Sequence, residues 1–150
     1  MRKFREALEA GEFLVTAECG PPKGTDLKEM LKHAKELFGK VHALNATDNQ
    51  SSVMRVSSLA ICKLLLDMGH DPIFQLTCRD RNRLALQSDI LGAHVLGIRN
   101  ILCLTGDYVT AGDHKGAKPV FDVESSQLLQ VVNTLNNGKD MAGNELKGAT

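Results

Sequence analysis

The sequence predicts an α/β fold with an all-parallel sheet, and three observations carry that expectation. Short apolar runs rich in β-branched residues alternate with longer segments of helical periodicity, and the alternation occurs four times in succession. Three of the helical segments stop at a glycine, Gly39, Gly69 or Gly97. The strand candidates are nearly all apolar, as strands covered on both faces must be. Strict strand-helix alternation implies parallel neighbours joined by right-handed crossovers.

Each element follows from local chemistry. Lys3 to Ala10 reads as a short amphipathic helix with Phe4, Ala7 and Leu8 on one face, closed by Gly11. The run from Phe13 reaches a carboxylate at Glu18 and then meets Gly20, Pro21 and Pro22, which continue neither strand nor helix, so Glu18 lies at the carboxyl end of a strand. Thr25 or Asp26 caps a helix through about Phe38, with Leu27, Met30, Leu31, Ala34, Leu37 and Phe38 at helical spacing. A second strand covers Val41 to Ala46. The Ser51–Ser52 pair precedes a helix over roughly Val53 to Met68. The third unit is a strand over Ile73 to Thr77 and a helix from about Arg81 to Leu96; the fourth is a strand over Asn100 to Leu104. A long polar loop, Tyr108 to Phe121, leads to a helix over Val123 to Leu135, and the remainder reads as loop.

Composition narrows the class. The 150 residues suit one domain with a real core, and 43% hydrophobic with 24% charged residues is ordinary for a globular protein. Eighteen basic and eighteen acidic residues cancel, which argues against a nucleic-acid or membrane-surface footprint. No apolar run reaches the roughly 18 residues of a membrane span, and the start of the chain lacks the apolar stretch of a signal peptide, so a cytoplasmic protein is expected. Cys19, Cys62, Cys78 and Cys103 lack paired spacing and read as reduced thiols; three of them, Cys19, Cys78 and Cys103, meeting at the rim as metal ligands is the weaker alternative.

Parallel strands place their carboxyl ends on one rim, and polar residues gather there: Glu18; Asn45, Thr47 and Asp48; Gln75 and Thr77; Thr105 and Asp107. Glu18 and Asp107 make a candidate acid pair, because burial and mutual repulsion push paired carboxyl pKa values apart and leave one group as a proton donor. Among the histidines only His114 is placed to reach a ligand. Tyr108 and Phe121 either stack on a planar ring or anchor their loop. Arg79, Arg81 and Arg83 read as a solvated helix start, with a phosphate site as the alternative. No dinucleotide fingerprint and no Walker loop is present. Two architectures fit the pattern: a small open doubly wound sheet, and four units of an eight-unit barrel.

Four segments, AECGPPKG at Ala17 to Gly24, NATDN at Asn45 to Asn49, QLTCRDRNR at Gln75 to Arg83 and ILCLTGD at Ile101 to Asp107, resemble successive motifs of the methylenetetrahydrofolate reductase family, in matching order and spacing. The resemblance implies the first four β/α units of a TIM-type (β/α)8 barrel, a half barrel forming a single domain over 1–150 with the later strands absent. It implies a flavoprotein oxidoreductase that reduces 5,10-methylenetetrahydrofolate to 5-methyltetrahydrofolate in one-carbon and methionine metabolism. FAD is the implied cofactor, with FMN as the alternative, and no metal.

Glu18 resembles the family's general acid and Asp107 the acid beside flavin and pterin. Thr47, Gln75, Leu104, Thr105, Gly106 and Asp107 match flavin-lining positions, and Phe121 and Asp122, at the end of a loop from Gly112 that resembles a branch of the family fused to or working with other one-carbon proteins, are expected to bind the cofactor as well. Gln75 and Thr105 stand where many members carry His and Arg. The implied partners are a folate substrate and NAD(P)H or a protein electron donor. Half a barrel has two unpaired parallel edges, so a homo-oligomer, a larger complex or a truncation inactive on its own is expected. The competing readings are a non-catalytic flavin- or folate-binding subunit and a pterin-dependent methyltransferase.

Overall fold

A computed structural model describes residues 3–148 of the chain. The elements are α1 (Phe4–Glu9), β1 (Thr16–Cys19), α2 (Lys28–Leu37), β2 (Ala43–Ala46), α3 (Ser58–Asp67), β3 (Pro72–Thr77), α4 (Arg83–Val95), β4 (Asn100–Leu104) and α5 (Ser125–Asn136). The four strands form one sheet in the order β1-β2-β3-β4 with every pairing parallel. This is the strand-helix alternation of half a TIM-type barrel, and the expected fold class holds.

The side chains sort by strand alternation. Phe74 and Leu76 of β3 point into the helical layer, where they join Leu44, Ile61, Leu65, Leu86 and Leu128 in the buried core. Each fully buried side chain of this size contributes about 1.5–3 kcal/mol of transfer free energy. Gln75 and Thr77 lie on the opposite face, toward the rim cleft.

Several boundaries differ from expectation for local reasons. Glu18 is the penultimate residue of β1, which ends at Cys19, and Phe13 and Val15 lie outside the strand at 90% and 42% exposure. The helix expected from Val53 begins only at Ser58. Asn49, Ser51 and Ser52 hold φ of 45°, 55° and 59°, a left-handed path that makes a 3-10 turn and no helical cap. Val53 is then extended, and Val56 N–H donates to the Pro22 carbonyl at 3.0 Å.

Helix α4 starts two residues late because Asn82, with extended backbone, accepts from Leu84 N and Ala85 N and is the cap itself. Helix α5 starts at Ser125 after a Glu124–Gln127 capping box. Leu8 of α1 is 57% exposed, so only Ala7 of its expected apolar face is buried. Burial on both faces holds for β3 and, apart from the half-buried Asn45, for β2, but not for the outer strands: Thr16 and Glu18 of β1 are exposed, and Leu102 of β4 is 40% exposed. The segment after α5 is folded back, with Lys139 bridging Glu145 and Met141 and Leu146 packing on the core.

No helix among the described residues is long and apolar enough to cross a membrane.

Candidate functional site

The carboxyl ends of the four strands enclose a cleft of about 300 Å³. β1 contributes Glu18, the β2 loop Thr47, β3 Gln75, and the β4 end Leu104, Gly106 and Asp107. The structure therefore brings together six of the expected acid and flavin-lining residues, and Asp48 and Thr77 of the expected rim line the cleft beside them. Both carboxylates, Glu18 and Asp107, are open to solvent rather than buried.

Thr105, Phe121 and Asp122 lie outside the cleft lining, each with another partner. Thr105 Oγ1 accepts from Ser125 N at 3.1 Å, at the start of α5. The Phe121 ring packs at 5.8 Å from Tyr108, and Asp122 takes a two-point contact from Arg83 at 2.8 Å. That ion pair holds the Asp122 carboxyl down to about 2. Phe121 stands at φ 43°, an outlier for a bulky residue. It is fixed there as Phe121 N–H donates to Cys78 O, and Val120 N–H to Arg79 O.

Within the lining, Thr47 is 1% exposed and its hydroxyl has no hydrogen-bond partner. A buried hydroxyl left unpaired costs about 1–3 kcal/mol, and this one lies in the lining of the polar cleft. Asp48 beside it is saturated: Thr77 donates through N and Oγ1, both at 2.9 Å, and Arg81 adds two guanidinium contacts.

Arg79 and Arg81 depart most from the sequence reading, whereas Arg83, the first residue of α4, is exposed as a solvated helix start should be. Far from a solvated helix start, Arg79 is 2% exposed and forms part of the cleft wall. Its guanidinium donates to both Asp80 oxygens at 2.8 Å and to the carbonyls of Asn49 and Asp107 at 3.2 and 3.3 Å. The hydrogen bonds to Asp80 raise the Arg79 pKa against the opposing effect of burial. Gly106 makes this closeness possible: at φ +97° an added Cβ would sit 3.0 Å from Arg79 Cβ. Of the lining residues outside the expected site, Arg79 reads in the sequence as part of a solvated helix start or a phosphate site, Asn49 only as the end of the NATDN motif, and Gln50 carries no signal.

Other candidates are otherwise engaged. His114, exposed on the long loop, hydrogen-bonds Asp113 at 2.8 Å, and Asp113 also pairs with Lys23. The four cysteines are free and buried. Among the described residues no three His, Cys, Asp or Glu side chains are grouped to hold a metal. A larger cavity of about 520 Å³ lies at the opposite end of the sheet, between α4 and α5. It contains no unpaired buried hydroxyl and sits at the amino ends of the strands, where this architecture places stability rather than chemistry.

A parallel β/α array with two carboxylates and an unpaired hydroxyl at its carboxyl rim has its polar groups where β/α barrels carry their small-molecule sites. The chain belongs to the methylenetetrahydrofolate reductase family, whose model matches residues 3–145. A comparison with curated proteins gave no match. Family membership supports a folate-related reductase role.

Proposed function

We propose that this rim cleft serves the flavin-dependent reduction of 5,10-methylenetetrahydrofolate to 5-methyltetrahydrofolate. The observation that carries the reading is the convergence of Glu18, Asp107 and the unpartnered Thr47 hydroxyl in one cleft. The lining supports a flavin ring: Leu104 and Gly106 give an apolar wall, and Thr47 and Gln75 give polar contacts. FAD is the proposed cofactor and FMN the alternative; when bound and reduced it supplies the hydride.

The chain's own groups supply the rest. Glu18, exposed at the end of β1, is the general acid: it protonates the bound folate so that the five-membered ring opens to an iminium ion. Asp107, held in place through its carbonyl by Arg79, contributes the negative charge that stabilises this cation. Thr105, Phe121 and Asp122 act from the rim, where their bonds to α5, Tyr108 and Arg83 fix the loop around the cleft. NAD(P)H or a protein donor provides the electrons.

The test is a visible absorption titration of the chain with FAD and FMN, followed by folate turnover in the complete barrel. A bound-flavin spectrum supports the reading. Glu18→Gln is expected to abolish folate reduction while leaving reduction of the flavin by its donor intact; unchanged folate turnover would remove Glu18 from the role.

A further inference from the structure

The orientation of the Gln75 amide follows from the backbone beside it. The Ala17 carbonyl only accepts, so Asn45 turns its Nδ2 toward it, at 3.3 Å. Asn45 Oδ1 is thereby left facing Gln75, where only a donor is favourable, and Gln75 Nε2 lies 3.5 Å away. A main-chain oxygen that cannot rotate thus sets two side-chain amides in sequence. The remaining atom, Gln75 Oε1, accepts no hydrogen bond from the described residues and belongs to a side chain that lines the cleft while only 8% exposed. Asn45 itself is half-buried beside Glu18 in register and is not part of the cleft lining.

We propose that Asn45 is a positioning residue that holds the Gln75 amide with its oxygen toward the cleft, so that the site reads an N–H group of its ligand there. The proposal rests on the flavin reading above. The oxidised isoalloxazine ring carries a single N–H, in its imide, and that is the group Gln75 would recognise. A ligand offering a lone pair at the same point is disfavoured, because two acceptors would face each other.

The experiment compares binding of FMN and of FMN methylated at the imide nitrogen to the full chain, by flavin fluorescence at pH 8. The unaltered chain is expected to hold FMN about tenfold tighter than the methylated form. In Asn45→Leu the Gln75 amide is free to turn over, and the preference should shrink toward unity, with melting temperature followed in parallel. Gln75→Glu offers acceptors only, so it should keep the preference; this variant decides the matter if Asn45→Leu does not fold. Equal binding of the two flavins by the unaltered chain, a preference that survives Asn45→Leu, or one lost in Gln75→Glu would overturn the proposal. Failure of the unaltered chain to bind either flavin would instead overturn the flavin reading, and this inference with it.

Discussion

Arg81 and Asp48 meet in a two-point ion pair, Nη1 to Oδ2 at 2.7 Å and Nη2 to Oδ1 at 3.2 Å, joining the loops after β3 and β2 beneath the cleft. Burial works against charge on Arg81, but Asp48 and Asp89 outweigh it and hold its pKa above the ordinary value. Removing one partner of such a pair leaves an uncompensated buried charge. Arg81→Met should therefore cost roughly 3 kcal/mol of stability, read from urea unfolding. A loss below about 1 kcal/mol would mean that Thr77 alone satisfies Asp48.

Gly112 is set by contact. An added Cβ would lie 1.8 Å from the Ser52 carbonyl oxygen, so no side chain fits without parting the two loops. Gly112→Ala is expected to destabilise by about 1–3 kcal/mol and to expose the 108–121 loop to limited proteolysis. A proteolysis pattern identical to that of the unaltered chain would show that the loops separate freely.

The thiols should be silent. Burial pushes Cys62 up to about 12 and Cys103 up to about 11, and raises Cys19 and Cys78. The thiolate is the reactive species, so a thiol reagent at pH 8 should label none of the four in the native chain and all four in denaturant. Rapid native labelling of Cys62 would contradict its 0% exposure.

His70 supplies a pH dependence. Burial lowers its pKa below the ordinary value, against a hydrogen bond to the Ala34 carbonyl, and its Nε2 has no partner. The folded state thus binds this proton less readily than the unfolded one. The resulting stability is fully present above about pH 6.5 and is lost as pH falls through the depressed folded value. Unfolding free energy measured from pH 8 to pH 5 should decline on the acid side, and His70→Phe should flatten that limb. An unchanged slope in the variant would assign the decline to other groups.

The sequence made the four β/α units legible because hydrophobic periodicity is local. β4 matches its expected bounds, Asn100–Leu104, and the strand ends place Glu18, Thr47, Gln75 and Asp107 on one rim. What escaped was set by distant partners. The 3-10 turn at Gln50–Ser52 exists against the intrinsic preference of Asn49, Ser51 and Ser52 for negative φ, where Ser52 meets Gly112 of another loop. The arginines looked like a solvated cluster because Asp48 and Asp122 lie 33 and 39 residues from their partners Arg81 and Arg83. Thr47 carries no sign in the sequence that its hydroxyl is left unpaired, since this depends on which neighbours turn away.

The three arginines stand at alternate positions of one short segment, the last of them opening α4, and each clasps a different stretch of chain: Arg79 the carbonyls of Asn49 and Asp107, Arg81 the Asp48 carboxylate, Arg83 that of Asp122. The segment works as a key whose teeth must all engage at once. Its length is therefore as constrained as its composition, because inserting or deleting one residue between Arg79 and Arg83 would offer each guanidinium the wrong lock and misalign three neighbouring loops in a single event. Drift at this place should proceed by substitution, while gaps accumulate elsewhere on the rim.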